Sequence, residues 1–377
     1  MKKTLFIFEK SGVMLFTKFL FSSLQLANFT MLRAIFALIL LIPATAQSLS
    51  FSELLKPSAR NHVQIVGSST VYPFAAVIAE TFGRDTDFKT PIVEATGTGG
   101  GFKLFCSGIG YNFPDFSNAS RKIEKSEIEK CASNNIFGIV EIKIGYDGIV
   151  LANAIGGVQY SLTKEQIFLA LAAKVPSLDG KNLIENPYKK WSDIDKTLPN
   201  INIAIYGPPT TSGTRDAFAE LVMEDVCKNN PAFKNSFLDK KILAKKCHII
   251  RSDGHFIEAG ENDNLIVQKL KNDINALGIF GFSFLEENHH AIKAANINKI
   301  APSFDSIVSG KYEVSRPLFI YLKKEHLNLI AGMREFALEI ASPNTIGFDG
   351  YLMQKGLIPL TNLELEKVRS ELIKNLK

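Results

Sequence analysis

The chain has 377 residues, 43 Lys plus Arg against 38 Asp plus Glu, 46% hydrophobic and 21% charged residues, with 26 Gly and 15 Pro. This composition excludes collagen-like, coiled-coil and wholly disordered chains, and the length suits two lobes with cores of their own. Lys2, Lys3, Lys10, Lys18 and Arg33 against Glu9 put most of the net charge of +5 into the first 46 residues. The near-neutral remainder gives no electrostatic case for nucleic acid.

Residues 31–46 have a basic start at Arg33, an apolar run and the small-residue ending Ala44-Thr-Ala46. This is the layout of a secretory signal, with cleavage expected after Ala46. The apolar run Ala34 to Ile42 is well short of the ~20 residues that cross a bilayer. The upstream segment Met1 to Thr30 is either part of a long leader or the result of a misplaced start codon.

Short apolar strands then alternate with amphipathic helices. Strands are expected at 63–66, 91–95 and 114–119, and helices at 72–82 and 101–109. A further helix is expected from Ser126, with Glu129 completing a capping box, leading into the apolar run 136–152. A second series follows: a helix over 164–173 capped by Thr163 and Gln166, a strand over 201–206, a long helix over 213–227, a helical stretch over 265–270, and strands over 278–284 and 315–322. Helices dominate from there to Lys377. The rhythm predicts an α/β fold of two doubly wound lobes with parallel sheets, joined by crossing hinge strands near 140–152 and 315–322. The expected division is a signal segment 1–46, a first lobe 47–150 plus 305–377, and a second lobe 151–304.

Export makes disulfides the expected chemistry for the four cysteines of the body, Cys106, Cys131, Cys227 and Cys247. Four thiols allow three pairings. The separations of 25 and 20 residues favour two local loops, Cys106 to Cys131 and Cys227 to Cys247. Each would stabilise by roughly 3 kcal/mol. A zinc site is the rival reading; no CxxC or Cys/His spacing supports it, and His248 beside Cys247 is its one hint. No metal is expected.

Three segments share one design, in which a strand ends, hydroxyl and small residues follow, and a helix begins. They are Gly67-Ser-Ser69-Thr70-Val71-Tyr-Pro73, Ala95-Thr-Gly-Thr98-Gly-Gly-Gly101 and Tyr206-Gly-Pro-Pro-Thr-Thr-Ser212-Gly213-Thr214-Arg215. Helix starts present unpaired backbone N–H groups and a positive dipole end, so each is a potential half-cup for an anion. Singly, each is also explained by Ser and Thr as N-caps and Gly as a turn former. Nucleotide motifs fail. Phe102 separates Gly101 from Lys103 and occupies the place of the third dinucleotide-motif glycine, and Leu104 stands where a P-loop needs Ser or Thr.

A fourth segment, Asp115-Phe-Ser-Asn-Ala-Ser120-Arg121-Lys122, places Arg121 between a strand end and a helix, where a guanidinium can grip an anion bidentately. Its alternative is an exposed base in a basic run. Arg215, on the first turn of its helix, opposes the dipole, which a bound anion would relieve. Its alternative is pairing with Asp216 or Glu220 on the same helix.

Taken in order, these segments together with Tyr146-Asp147-Gly148 and Gly278-Ile-Phe-Gly-Phe282 resemble the phosphate-binding protein of the phosphate ABC transporter, from about Val63 to Leu360. The resemblance implies a two-lobed periplasmic binding protein that closes over one phosphate and presents it to membrane permease subunits. It assigns anion contacts to Ser69, Thr70 and the backbone of Val71, to Thr98, and to Ser212, Gly213 and Thr214, with Ser120 alongside. Two departures stand out. Well-known members carry an Asp after the Ala-Ser step that accepts the proton of hydrogen phosphate and so excludes sulfate; here that position is Arg121. They also carry an Arg shortly before the Ser-Gly-Thr loop, where this chain has Gly207-Pro-Pro209. Arg121 and Arg215 are the candidates to redistribute that charge, and Asp147 is the candidate replacement acceptor; its alternative is a plain Asp-Gly turn.

The expectation is therefore binding and delivery of inorganic phosphate, by a monomer, without cofactor or catalysis. Another oxyanion such as sulfate, molybdate or a phosphonate is the near alternative. A secreted serine hydrolase would need a base beside Ser69 or Ser212, for which His255 is the only tempting residue. A surface adhesin that reuses the fold is the third reading.

Overall fold

The computed structural model of the protein describes residues 60–260 and 262–377. The expected signal segment and its cleavage position lie outside these residues. Among the described residues the main sheet has nine strands: β1 (Gln64–Gly67), β2 (Ile92–Ala95), β3 (Phe116–Ala119), β4 (Ile139–Ala154), β5 (Ile205–Gly207), β6 (Phe256–Glu258), β7 (Leu277–Gly281), β8 (Ile292–Ala294) and β9 (Ser315–Lys323). Their order is β2-β1-β3-β9-β4-β7-β5-β6, with β8 also on β4.

The expected parallel pairing holds within each half. β1 pairs in parallel with β2 and β3, and β5 with β6 and β7. The centre departs from it: β9 is antiparallel to β3 and to β4, and β7 is antiparallel to β4. The sheet is therefore mixed. Strand β4 is long because it serves both halves. Its residues 139–148 pair with β9, and 149–154 pair with β7 and β8. The start of β9 runs beside it at the changeover, with Ser315 opposite Gly148 and Ile149 N–H bonded to Val314 O. These are the two crossing strands that the sequence pattern anticipates.

Helices cover the sheet. In the first half α1 (Tyr72–Asp85) follows β1, α2 (Thr98–Phe105) follows β2, and α3 (Lys125–Ala132) follows β3. Phe82 and Phe116 each meet the edge of Phe336, while Phe102 and Tyr321 pack on the opposite face. In the second half α4 (Lys164–Leu171) carries the expected Thr163/Gln166 capping box, and Trp191, Phe168, Phe218 and Phe280 are fully buried. Burying side chains of this size contributes about 1.5–3 kcal/mol each. Both expected disulfides are present, Cys106–Cys131 and Cys227–Cys247.

Several element boundaries differ from the pattern reading. Helix α2 begins at Thr98, before the glycines rather than after them. The glycines are helical because α2 must lie against β1: a Cβ on Gly101 would sit 2.5 Å from Gly67 Cα and 2.9 Å from Ser117 Oγ. Helix α3 is capped at Glu124 with Glu127, not at Ser126 with Glu129, because Glu127 reaches back to Glu124 N–H at 2.8 Å. The strand expected over 278–284 stops at Gly281, and the long helix expected over 213–227 runs as α5 (Gly213–Phe218), a π-helical turn, Ala219–Glu224, and Asp225–Cys227. Beyond Gly281, Phe282 and Leu285 are buried three residues apart, a helical spacing that outweighs the alternation of phenylalanines, and helix α6 (Phe282–Glu287) results.

A buried ionic group ties the first half together. Asp115 receives both terminal nitrogens of Arg60, at 2.6 and 2.9 Å, and Nδ1 of His326 at 2.6 Å. Gly110 N–H donates to His326 Nε2, so Nδ1 carries the proton that Asp115 accepts. Lys323, fully buried nearby, donates to Gly108 O at 2.7 Å.

Candidate functional site

The three hydroxyl-bearing loops leave the C-terminal ends of β1, β2 and β5, where an open α/β sheet places its ligands. The first two are brought together by glycine. Gly67, at φ 134°, lies so close to β3 that a Cβ would meet Asn118 O at 2.1 Å, and Gly101 of α2 rests on Gly67 itself. Within the first loop Tyr72 N–H bonds Ser68 O, and Val71 N–H faces Ser68 Oγ at 3.4 Å. Ser68, Thr70 and Val71 are buried.

The second loop is joined to the segment after β3. Thr98 Oγ1 accepts from Ser120 N–H at 3.2 Å and lies 3.1 Å from Ser120 Oγ. The third loop arrives from the other half of the sheet and meets the first. The side chain that Gly213 lacks would point to Ser69 O and Thr70 Cα, each 3.9 Å away. Ser69 Oγ donates to Asp216 Oδ2 at 3.0 Å. Ser212 holds the N-cap position of α5, and its N–H is bonded to Pro209 O. Ser69 and Thr70 thus meet Gly213, which Ser212 and Thr214 flank in sequence, while Thr98, on the helix that packs against Gly67, is joined to Ser120.

The two arginines singled out from the sequence are engaged by other partners. Arg121 is held bidentately by Glu127, at 2.8 and 2.9 Å, with Glu124 at 3.4 Å, and its pKa is raised chiefly by Glu127. One terminal nitrogen remains near the start of α2, 3.9 Å from the Cβ position of Gly99. Arg215 pairs with neither Asp216 nor Glu220. It is buried, donates to Pro208 O at 3.2 Å and lies 4.5 Å over the Phe256 ring, and burial pulls its pKa down. It braces the third loop from below.

The cation that bonds the first loop is Arg316, which pattern reading passes over. It stands on β9 directly opposite Asp147 of β4, at the point where the two strands cross. One terminal nitrogen donates to Thr70 Oγ1 at 2.9 Å, the other is paired with Glu220, and Nε lies 3.6 Å from Asp147 Oδ2. Arg316 Nε and Asp147 Oδ2 are both buried and have no hydrogen-bond partner among the described residues. Burial raises the pKa of Asp147, Arg316 opposes that rise, and Glu220 adds to it. The detectable signal was a charge followed by Pro317 at the start of a strand whose next residues, 318–322, are apolar.

His255, the base a hydrolase would need, is at the wrong end of the sheet. It precedes β6, beside the beginning of the parallel strand β5, with Nδ1 bonded to Ile203 O at 2.7 Å. Ser212 follows the far end of β5. Among the described residues no group of three or more His, Cys, Asp or Glu has metal-binding geometry.

Residues 55–344 match the family described as PBP superfamily domain. The chain belongs to the PBP superfamily. It is 32% identical over 292 residues to protein SphX of Synechococcus elongatus, covering 76% of this chain and 75% of that one. It is 30% identical over 276 residues, 72% of each chain, to the phosphate-binding protein PstS of Staphylococcus saprophyticus. A crystal structure of a possible phosphate binding protein from Planctomyces limnophilus superposes with a TM-score of 0.67 at 27% identity, covering 85% of this chain and all of that one. The mixed α/β fold described above matches this superfamily.

Proposed function

We propose that the protein binds inorganic phosphate between the two halves of its sheet and delivers it to the permease subunits of an ABC transporter. The observations that carry this reading are that the first and third hydroxyl-bearing helix starts meet across the two halves, that the helix of the second packs on Gly67 of the first, and that the nearly buried guanidinium of Arg316 bonds Thr70. Backbone N–H groups at helix starts, hydroxyl donors and one arginine form a set that replaces the water of a small oxyanion. The likeness to SphX and PstS, the second of which is named a phosphate-binding protein, supports phosphate as the anion.

Asp147 supports phosphate over sulfate. A buried carboxylate oxygen with no donor of its own can accept a proton that hydrogen phosphate carries and sulfate lacks, while it repels a sulfate oxygen. In this reading residues 47–150 plus 305–377 and residues 151–304 act as two lobes that close about the crossing of β4 and β9. The protein works as a periplasmic monomer reached through the cleaved leader, and it performs no catalysis; among the described residues no helix is long and apolar enough to cross a membrane.

Thermal denaturation against a panel of oxyanions tests the reading. A selective rise in melting temperature with phosphate is expected, since a ligand at a hundred times its dissociation constant stabilises the fold by about 2.7 kcal/mol. Turnover of an aryl phosphate ester would contradict it. So would a rise with sulfate or molybdate but not phosphate.

A further inference from the structure

Two carboxylates from the second half of the sheet reach the donors of the first. Asp216 and Glu220 lie four residues apart, one helical turn, on the run that begins at Gly213, and Glu220 sits in its π-helical turn. Such turns widen a helix locally and recur at functional sites. Asp216 accepts the proton of Ser69 Oγ at 3.0 Å, and Glu220 takes a terminal nitrogen of Arg316, whose other terminal nitrogen holds Thr70. These are the groups assigned above to the anion. An incoming oxyanion therefore meets an arginine already neutralised by a carboxylate.

We propose that Glu220 is an internal competitor for Arg316, and that the anion binds by exchange, displacing the Glu220 carboxylate from the guanidinium. The inference rests on the phosphate reading above and adds to it a residue that sets affinity. The two partners differ in their freedom to move. The Arg316 side chain is 10% exposed and fixed by the β4–β9 register, whereas that of Glu220 is 43% exposed and can turn to water. Glu220 is thus the partner that leaves. A state in which Arg316 is occupied does not bind, so apparent affinity falls by the fraction of molecules with Arg316 released. Glu220 holds affinity below what the loops alone would give.

Calorimetric titration with inorganic phosphate of the wild type, Glu220→Gln, Arg316→Gln and the double variant tests this. Glu220→Gln is expected to bind about tenfold more tightly than wild type, the strength of one charge-assisted contact removed from competition. In the Arg316→Gln background the same change gives no gain, because there is no guanidinium left to release. Glu220→Ala repeats the gain and needs no hydrogen-bonding substitute. Wild-type binding with unchanged or weaker affinity in Glu220→Gln overturns the inference alone, as does an equal gain in both backgrounds, which would make Glu220 a distant repulsive charge. Absence of phosphate binding in folded wild type and Glu220→Gln overturns the phosphate reading along with it.

Discussion

Arg316 and Asp147 are paired residues of adjacent antiparallel strands, and their side chains meet where β9 and β4 pass between the two halves of the sheet, Nε to Oδ2 at 3.6 Å. Strand register brings these two residues opposite each other. In the proposed reading their contact also links the anion to the crossing about which the two lobes close.

Replacing Arg316 by Gln should weaken phosphate binding by a factor of about 100 or more, since it removes the charge and leaves Asp147 and Glu220 facing the anion. Arg316→Lys should recover only part of this, because an ammonium cannot hold Thr70 and an anion in one plane. Equilibrium titration of the two variants checks both statements. Equal affinity of Arg316→Gln and wild type would remove Arg316 from the site.

Asp147→Asn should reduce the preference for phosphate over sulfate, because the amide can donate to a fully ionised oxygen where the carboxylate only repels it. Phosphate and sulfate titrations on one preparation measure the ratio. A ratio that stays the same in wild type and variant would assign selectivity elsewhere.

Gly101→Ala should destabilise the fold by about 1–3 kcal/mol, the usual cost of forcing a methyl into filled space. Its Cβ would overlap Gly67 Cα and Ser117 Oγ, pushing α2 from β1. The first and second loops would then separate, so denaturant midpoint and phosphate affinity should fall together. Gly97→Ala is the useful contrast: no atom lies within 4 Å of its Cβ, but its φ of 73° is strained for alanine, so it should cost stability without that collision.

Lys323 gives a pH signature. Burial pulls its pKa from 10.5 down to about 8, while Asp115 and Glu325 partly restore it. Between about pH 8 and 10.5 the folded protein has lost a proton that the unfolded chain still binds, so this group makes stability rise with pH across that window. Below about pH 8 its burial penalty is constant. Denaturant unfolding at pH 7, 8, 9 and 10 should show the rise in wild type and a smaller one in Lys323→Met. Parallel curves would show that Lys323 titrates normally.

The cysteine pairing, the strand-helix alternation and the three loops were legible because each depends on local pattern: sequence separation, hydrophobic period, hydroxyls before a helix. The antiparallel centre of the sheet was not, since it arises from β9 returning late in the chain to lie between β3 and β4. The same long-range step hides Arg316. Nothing near Ser315-Arg-Pro317 in sequence hints at Thr70, Asp147 or Glu220, its three neighbours in space. The reverse holds for Arg121 and Arg215. Their positions beside helix starts suggested an anion, but Glu127 captures one, and Phe256 with the Pro208 carbonyl shelters the other. A charge near a loop is visible in sequence; the partner that already neutralises it often is not.

Titration calorimetry of the wild-type protein with phosphate and then sulfate, at neutral pH, tests the central claim most directly. One phosphate per chain should bind tightly, with sulfate weaker by at least a hundredfold. Phosphate that releases no heat and fails to displace any other oxyanion, in a protein that melts cooperatively, would contradict it.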